Sequence, residues 1–590
     1  MKRMQIISVF IFMFLFTVSV LADVPYPRLH KPAVPYLYQS LNFQTIQMRI
    51  FSPNTAGMVP DVYSDCIWNP AYLAGSGRSV YLDFYTLNDA SLYITPSYID
   101  RDAYYSGVEV TADWVSQSSV QSLQTTPHYH FAITLPLGEK WTAALINRSL
   151  FDYGPYRAGV TYSDDVFGAE DASYRNDYNL QRMETDENQQ KVWGTQSELL
   201  LGYALSEKLN LGIRLGQYVY DHDGDLYDSR WAVYPHNLNA DLNDESMAID
   251  GHHYEIGLGF LFQADPGTRI GAYGSYLFGK SNESTVLMDT SDYWWEQDTN
   301  PVYYTISDYL LESHDTYGSD GNRPMFTLTF EKKLKPKLQL RSFLSGAWTS
   351  VDLDGTVSSS DTTYSDRTYD YWEWSTTHFR RQESHSSRMY GLSGTGEEKT
   401  HLLKWFVSLV YQPREVWTVF GGLQIQKYGY EQSMTESSWY HSHGWTEYTY
   451  YDPGTVKNMN TYELSYDYSS KYSEWRFILP IGIQAEIRKG LSVLLGMDLN
   501  LSYVHTESEA EQLYPEVIDR RWENSRQIVN DVQINRYEVF SSKPADTFNR
   551  TLNNRFGLVY QYKSKAKFYL RSYGNIAETG NWTFGFQYNW

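Results

Sequence analysis

Three short segments carry the side chains that most often bind metal ions. Residues 221–225 read Asp-His-Asp-Gly-Asp, a spacing close to the start of a calcium loop, but the glycine comes too early and no glutamate stands at the twelfth position. His128 and His130 share one face of a predicted strand, and His441 and His443 flank a serine in a predicted loop. Neither pair has a third ligand at a suitable spacing, so we predict no metal site and no cofactor.

Catalytic chemistry would need a nucleophile and a base held side by side. No such pair is placed together by the spacing of the sequence, and we therefore predict no catalytic residues and no enzyme activity. Cys66 is the only cysteine, which excludes an internal disulfide.

The composition favours an all-β protein in a membrane. The chain has 53 Tyr, 26 Phe and 18 Trp among 590 residues, yet its mean hydropathy is −0.50. A transmembrane β-barrel gives this combination, because lipid-facing residues alternate with polar lumenal ones and aromatic girdles lie at both interfaces. The net charge of −22 argues against a nucleic-acid partner.

The N-terminus predicts export. Lys2 and Arg3 precede an apolar run that ends in Val20-Leu21-Ala22, so residues 1–22 are interpreted as a signal peptide, with an uncleaved anchor as the alternative. No later run is long enough for a transmembrane helix. We predict an N-terminal periplasmic or plug segment over residues 23–78 and a barrel over residues 79–590.

Two-residue alternation is the main indication of strands with one apolar face. In the last segment, apolar side chains alternate with small or polar ones; the apolar set is Trp582, Phe584, Phe586, Tyr588 and Trp590. Residues 475–487 alternate in the same way. The strands of a soluble sandwich also alternate, so this pattern alone does not distinguish a barrel from a sandwich.

Very short turns separate pairs of these segments, as at 138–140, 265–267 and 489–490, whereas long polar stretches lie between the pairs. The long stretches, near 151–192, 223–251, 283–323, 353–398, 431–471 and 507–550, are predicted extracellular loops. Sixteen antiparallel strands follow, beginning at 91–99 and ending at 581–590, with 14 to 18 possible. The alternation at 79–86 is left without a fixed place, either in the first strand or in the segment inside the pore.

The C-terminus resembles the terminal signal that the outer-membrane assembly machinery reads. Its pattern is a glycine followed by aromatic residues at the third-last and last positions, which are Gly585, Tyr588 and Trp590 here. We therefore expect the assembly machinery and outer-membrane lipid to be partners, and we predict a location in the bacterial outer membrane.

An N-terminal element, Asn69-Pro70-Ala71 followed by Leu73 and Ala74, resembles the start of FadL-type and PorV-type barrels. The likeness covers about residues 50–85, and Tyr72 stands where those families carry glycine. The resemblance implies a plug folded into the lumen. An ordinary turn before the first strand is the alternative.

Charged residues on the face opposite the apolar one are predicted to line the lumen. They carry both signs, which favours internal pairing and packing against the plug over a wide ion channel. The alternative is that they only satisfy a polar interior. The predicted set is Arg214, Glu255, Arg341, Arg476, Glu486, Asp498 and Arg571.

The function indicated is an outer-membrane transport barrel for hydrophobic or amphipathic small molecules, of the FadL kind. The alternative is a surface-exposed scaffold or a secretion-machinery partner of the PorV kind. A hydrolase with its site near the rim of the barrel is a distant third hypothesis. The sequence does not identify the small-molecule or protein ligand.

Overall fold

A computed structural model gives the architecture, and it describes part of the chain. The described residues are 57–85, 102–105, 108–112, 128–158, 167–168, 182–184, 188–234, 237–297, 303–373, 376–414, 417–450, 453–541, 544–563, 565–572 and 582–590. The predicted signal peptide and the predicted strand at 91–99 lie outside them.

Twenty-one strands are present in the described part of the chain. The first eleven are β1 Ser79–Tyr85, β2 Asp102–Tyr105, β3 Val108–Ala112, β4 His128–Pro136, β5 Trp141–Ala158, β6 Phe167–Gly168, β7 Arg182–Glu184, β8 Asn188–Ala204, β9 Leu209–Tyr234, β10 Asn237–Asp265 and β11 Thr268–Gln297. The others are β12 Tyr303–Lys335, β13 Leu338–Glu373, β14 Thr376–Arg414, β15 Trp417–Tyr450, β16 Gly454–Arg488, β17 Leu491–Glu523, β18 Arg526–Ser541, β19 Ala545–Tyr562, β20 Ala566–Ser572 and β21 Trp582–Asn589.

Sixteen of these strands form a closed antiparallel ring. The order is β1-β4-β5-β8-β9-β10-β11-β12-β13-β14-β15-β16-β17-β19-β20-β21, after which β21 pairs with β1 again. The predicted all-β barrel of about sixteen strands is thus confirmed. The ring closes through Ser79–Tyr85, the alternating segment that the sequence left without a fixed place.

Elements outside the ring are small. Strands β2, β3 and β6 form a separate three-stranded sheet, β7 pairs with β9, and β18 pairs with the distal half of β17. Before β1 stand a helix, α1, at Val62–Trp68 and a 3-10 helix at Pro70–Leu73. No helix in the described ranges has both the length and the apolarity needed to cross a membrane.

One end of the barrel has the predicted short turns, but the other end has long strands where loops were predicted. Short turns lie at 138–140, 266–267 and 489–490, and Gly138 and Gly490 adopt the positive φ that such turns require. At the other end the strands continue through most of the predicted loop ranges, so that β14 reaches 39 residues. Residues 221–225 lie within β9, and His441 and His443 lie within β15 rather than in loops.

Alternation along the strands separates an outer apolar face from an inner face. Large hydrophobic side chains exposed on the outside include Leu258, Phe260, Leu328, Leu403, Trp405, Phe477, Leu479, Phe568, Leu570 and Phe584. Their sequence neighbours, such as Lys404 and Tyr569, are buried inside. This is the arrangement of a transmembrane barrel, whose outer band contacts lipid tails.

The terminal strand offers a test of the predicted assembly signal. Tyr588 and Trp590 stack at 6.0 Å between ring centroids on the outer face. Because Tyr588→Asp puts a charge into this aromatic pair, we expect it to lower the amount of folded barrel in the membrane several-fold. The measurement is heat-modifiable migration of membrane fractions. Asn589→Asp, on the lumenal face of the same strand, is the matched control, and equal levels of both variants and wild type would contradict the prediction.

Candidate functional site: a segment docked inside the barrel

Residues 57–78 are organised around α1, and most of them are buried inside the barrel. Asp61 caps the helix, since its Oδ1 accepts hydrogen bonds from the backbone amides of Tyr63 at 3.0 Å and Ser64 at 3.1 Å. This satisfies two of the amides that a helix start leaves without partners. Six of the seven helix residues are buried, which is high for so short a helix. We call residues 57–78 the plug.

One arginine of the wall holds the side of α1. The Nη2 atom of Arg341, on β13, lies 2.9 Å from Oδ1 of Asp65. Arg341 also pairs with Glu331 on β12, which in turn pairs with Arg269 on β11. Burial raises the pKa of the Asp65 carboxyl, and the charge of Arg341 opposes that shift. The two carboxylates and two guanidiniums form a charge-balanced cluster.

A second arginine holds the C-terminal end of α1. Arg214, on β9, is fully buried and donates from Nη2 to the carbonyls of Cys66 at 2.9 Å and Ile67 at 2.8 Å. These carbonyls are free at the end of a helix and carry partial negative charge, so a cation there is favourable. Glu198 and Glu255 each lie 3.6 Å from the same guanidinium, so that its positive charge is not buried alone.

The Asn69-Pro70-Ala71 element joins the plug directly to the wall. Asn69 Oδ1 accepts from the backbone amide of Ala71 at 3.0 Å and so begins the 3-10 helix. Its Nδ2 donates to the carbonyls of Phe260 at 2.8 Å and Ala272 at 3.3 Å, on β10 and β11. Pro70 stands at the first position of the 3-10 helix, where no amide donor is needed.

Glycines of the wall make room for this element. Gly202, Gly212 and Gly259 are direct cross-strand partners on β8, β9 and β10. A Cβ added to Gly212 would lie 2.2 Å from the amide nitrogen of Ala71, and one added to Gly259 would lie 2.3 Å from Oδ1 of Asn69. We call these three residues the glycine row. No pattern in the sequence marks this row, because each glycine looks like an ordinary strand residue until the pairing register is known.

The glycine row gives a specific prediction. Gly212→Ala brings a methyl group into contact with plug backbone, which cannot move as a flexible side chain would, and overpacking of this kind costs about 1–3 kcal/mol. We expect the variant to lose its heat-modifiable folded form at a lower temperature than wild type. Gly274→Ala is the matched control, because the nearest atom to its Cβ would be 3.8 Å away. Equal midpoints for the two variants would contradict the prediction.

Aromatic packing completes the plug–wall contact. Trp68, the last residue of α1, lies 6.0 Å from Phe343 and 5.7 Å from Phe406 between ring centroids, both edge-on. The ammonium of Lys404 lies 5.3 Å from the Trp68 ring, a cation–π geometry. Gly57 has φ +79°, and a Cβ there would lie 2.7 Å from Trp68 Nε1, so glycine is needed at the start of the plug.

The seam where the ring closes carries a second buried ion pair. Arg571 on β20 pairs with Asp83 on β1, and Tyr81 donates to the same carboxylate at 2.6 Å. Gly585 on the intervening β21 leaves space for them, because a Cβ there would lie 3.1 Å from Asp83 Oδ1. Gly585 thus has a packing role at the seam whatever its part in assembly.

Three residues of the predicted lumen-lining set form pairs within the wall. Arg476 pairs with Glu474 at 2.8 Å on the same strand. Glu486 accepts from the amide of Gly490 at 2.7 Å and so closes a short turn. Asp498 is buried and accepts from Asn553 Nδ2 at 2.8 Å. The structure therefore brings Arg214 and Arg341 into contact with the plug, with Glu255 beside Arg214, and it places Arg571 at the seam and the other three in pairs within the wall.

Apolar side chains continue along the inner face beyond the plug. One cluster contains Tyr273, Met325, Ala347 and Leu402, another Tyr218, Leu277, Val351 and Leu353, and a third, farther out, Tyr317, Leu392, Met434, Leu464, Tyr466, Tyr468 and Ala510. All of them are buried. We call these three clusters the lumenal apolar column.

Within the described ranges there is no group of three or more His, Cys, Asp or Glu side chains that could hold a metal ion.

The closed ring, the outer apolar band and the inner plug define a transmembrane β-barrel. No protein-family model matches the chain, and no curated protein matches it. Similar solved structures include the toluene transporter TodX of Pseudomonas putida, at 10% identity over 78% of this chain and 93% of that chain, with a TM-score of 0.27. A FadL homologue of Pseudomonas aeruginosa is 9% identical over 90% of this chain and 96% of that chain, also at 0.27.

A third similar structure, the ferric enterobactin receptor PfeA of Pseudomonas aeruginosa, is 9% identical over 88% of this chain and 81% of that chain, with a TM-score of 0.25. Likeness at this level carries no argument about what the chain transports or binds. The barrel architecture rests on the ring of strand pairs and on the outer apolar face.

Proposed function

We propose that this chain is a plugged outer-membrane transport barrel for hydrophobic or amphipathic small molecules. The observation that carries the proposal is the lumenal apolar column. A water-filled diffusion pore has a polar interior, whereas the inner face here presents buried aromatic and aliphatic side chains beyond the plug. Such a surface lowers the free energy of an apolar solute in proportion to the area it buries.

The plug supports a gated route rather than an open one. Two buried arginines hold α1 at its side and at its C-terminal end, and three glycines fit the 3-10 helix against the wall. Contacts of this kind have one well-packed arrangement, so a passage through the periplasmic half of the barrel requires the plug to move. The resemblance of the Asn69 element to FadL-type barrels implies the same role.

Uptake measurements test the proposal. A strain that lacks the protein is complemented with wild type, and uptake of a monoaromatic hydrocarbon, a long-chain fatty acid and a hydrophilic sugar is followed. We expect the protein to raise uptake of at least one hydrophobic compound and to leave the sugar unchanged. Unchanged uptake of every hydrophobic compound would count against the proposal.

Two adjacent leucines on β14, which lie on opposite faces of the strand, allow a more specific test. Leu402 belongs to the lumenal apolar column, whereas Leu403 is 45% exposed on the outer face. Leu402→Asn removes apolar surface from the route, and we expect uptake of the hydrophobic compound to fall about fivefold, the equivalent of about 1 kcal/mol of lost burial. Leu403→Asn is the matched control and keeps wild-type uptake. Equal effects of the two variants would show that the column is not the route.

The second candidate function is a scaffold or secretion-machinery partner, of the kind the PorV resemblance implies. The observation that favours it is the height of the wall. On β12, twenty residues separate the lipid-facing Leu328 from Asp308, which corresponds to roughly 65 Å along the strand at about 3.3 Å per residue. Co-purification from gently solubilised membranes discriminates the two functions: a stoichiometric partner favours the scaffold, and a lone barrel favours transport.

A further inference from the structure

The outer face of the wall, far beyond the apolar band, contains a cavity of about 600 Å³. Even-numbered residues of β12 face outward from Leu328 to Asp308, and between them the strand pairs continue without a register shift. The cavity therefore opens to the aqueous exterior and is separate from the lumen. Its volume is within the range of about 300–1,000 Å³ that is usual for ligand pockets.

Two parallel rows of side chains from β11 to β15 build this cavity. Each member of a row is the direct cross-strand partner of the next. The first row is Asp292, Asp308, Tyr364, His385 and Trp445, and the second is Thr290, Leu310, Thr362, Ser387 and His443. Because neighbouring members lie on the same face of adjacent strands, five strands contribute to one continuous surface.

One end of the first row is an aromatic platform. The rings of Tyr364 and His385 have centroids 4.6 Å apart, and those of His385 and Trp445 are 4.5 Å apart and stacked at 24°. His385 Nε2 lies 3.3 Å from the carboxylate of Glu383, which fixes the ring between its neighbours. The platform is thus held in place before any ligand arrives, so that little conformational entropy is lost on binding.

The other end of the first row is a carboxylate pair. Asp292 and Asp308 face each other across β11 and β12. Burial, together with the charge of Asp292, raises the pKa of Asp308 above its usual range, as two carboxylates in close proximity require. Among the described residues that line the cavity there is no lysine or arginine, so the carboxylates can accept hydrogen bonds from a ligand.

We propose that this cavity is a saccharide-binding site for a neutral or amino-substituted sugar. A sugar ring presents apolar C–H groups, which contact the parts of these aromatic rings that their mutual stacking leaves uncovered. It also presents a rim of hydroxyl donors, from which carboxylates and Ser or Thr hydroxyls accept hydrogen bonds. An acidic sugar is excluded because its carboxylate would lie beside Asp292 and Asp308. The sugar belongs either to a surface polysaccharide of the cell or to a glycan from outside, and both present the same chemistry.

Calorimetric titration of the full-length protein in detergent tests this site. The probes are a neutral glucan oligomer, a glucosamine oligomer, an oligogalacturonate and purified lipopolysaccharide, which separate the charge classes and the two sources. We expect binding of a neutral or amino sugar and none of the oligogalacturonate. Trp445→Ala should weaken that binding about tenfold or more, as truncation of an aromatic contact residue does.

Trp439→Ala is the matched control, because Trp439 is on the same strand, is 41% exposed on the same face and lies outside the cavity. Asp308→Asn should weaken binding of an amino sugar more than that of a neutral one, with Glu312→Gln as its control. Binding of none of the four probes would overturn the proposal. So would equal effects of Trp445→Ala and Trp439→Ala, or a preference for the oligogalacturonate.

Discussion

Replacing Arg341 with alanine is expected to release the plug and expose Cys66 to a maleimide reagent. The substitution leaves Asp65 buried without its cation, and removing one partner of a buried pair costs about 3–5 kcal/mol. Cys66 is the single cysteine of the chain, is 1% exposed and lies on α1, and burial raises the pKa of its thiol well above the usual range. Both properties protect it from alkylation while the plug is docked.

The labelling rate follows the population of the undocked plug when docking is fast relative to the reaction. A cost of about 3–5 kcal/mol corresponds to a rise of about a hundredfold to several thousandfold in that population. Arg381→Ala is the matched control, because Arg381 pairs with Asp366 in the outer part of the wall, away from the plug. Labelling that stays at the wild-type rate in Arg341→Ala would show that the ion pair does not hold the plug.

The transmembrane part of the fold could be predicted because the residue types along each strand distinguish its lipid-facing side from its lumenal side. Phe477, Leu479 and Ile481 alternate with polar or small residues since one face meets lipid and the other the lumen, and this constraint acts locally. Beyond the membrane the outer face of β12 to β17 no longer meets lipid, and the inner face carries buried apolar side chains in clusters, such as the one around Tyr466, that alternate with buried polar ones. The alternation then weakens, and long polar stretches that are strand in the structure look like loops in the sequence.

The Asn69 element led to the expectation of a plug, but nothing in the sequence indicated the contacts that hold residues 57–78. Arg341 contacts Asp65 across 276 positions of the sequence, and Gly202, Gly212 and Gly259 become one surface only through the register of three strands. In the sequence, alternation alone assigns a residue to the lumen-facing set. It therefore could not show that Arg214 contacts the plug whereas Arg476 pairs within the wall. Arg214 differs from Arg476 in its contacts with the C-terminal end of α1. These contacts depend on how the N-terminal segment folds back into the barrel.

Replacing Arg571 with methionine is expected to destabilise the seam of the barrel. Asp83 would then stay buried beside Tyr81 without its cation, at a cost of about 3–5 kcal/mol, whereas a neutral pair of similar volume can be as stable as the ion pair. We therefore expect Arg571→Met to lower the urea midpoint for unfolding from lipid vesicles, and the double variant Asp83→Asn/Arg571→Met to recover most of the loss.

Arg536→Met, which breaks an ion pair with Glu538 that is exposed on the outer wall, should change the free energy of unfolding by no more than about 1 kcal/mol. Comparing Arg571→Met with Arg536→Met separates the effect of leaving a carboxylate buried without its cation from the effect of losing an arginine side chain. If the double variant were as unstable as Arg571→Met alone, the guanidinium would be stabilising the seam by packing rather than by neutralising Asp83. Recovery would instead show that the seam tolerates a neutral pair, and that the charge of Asp83 is what makes Arg571 necessary there.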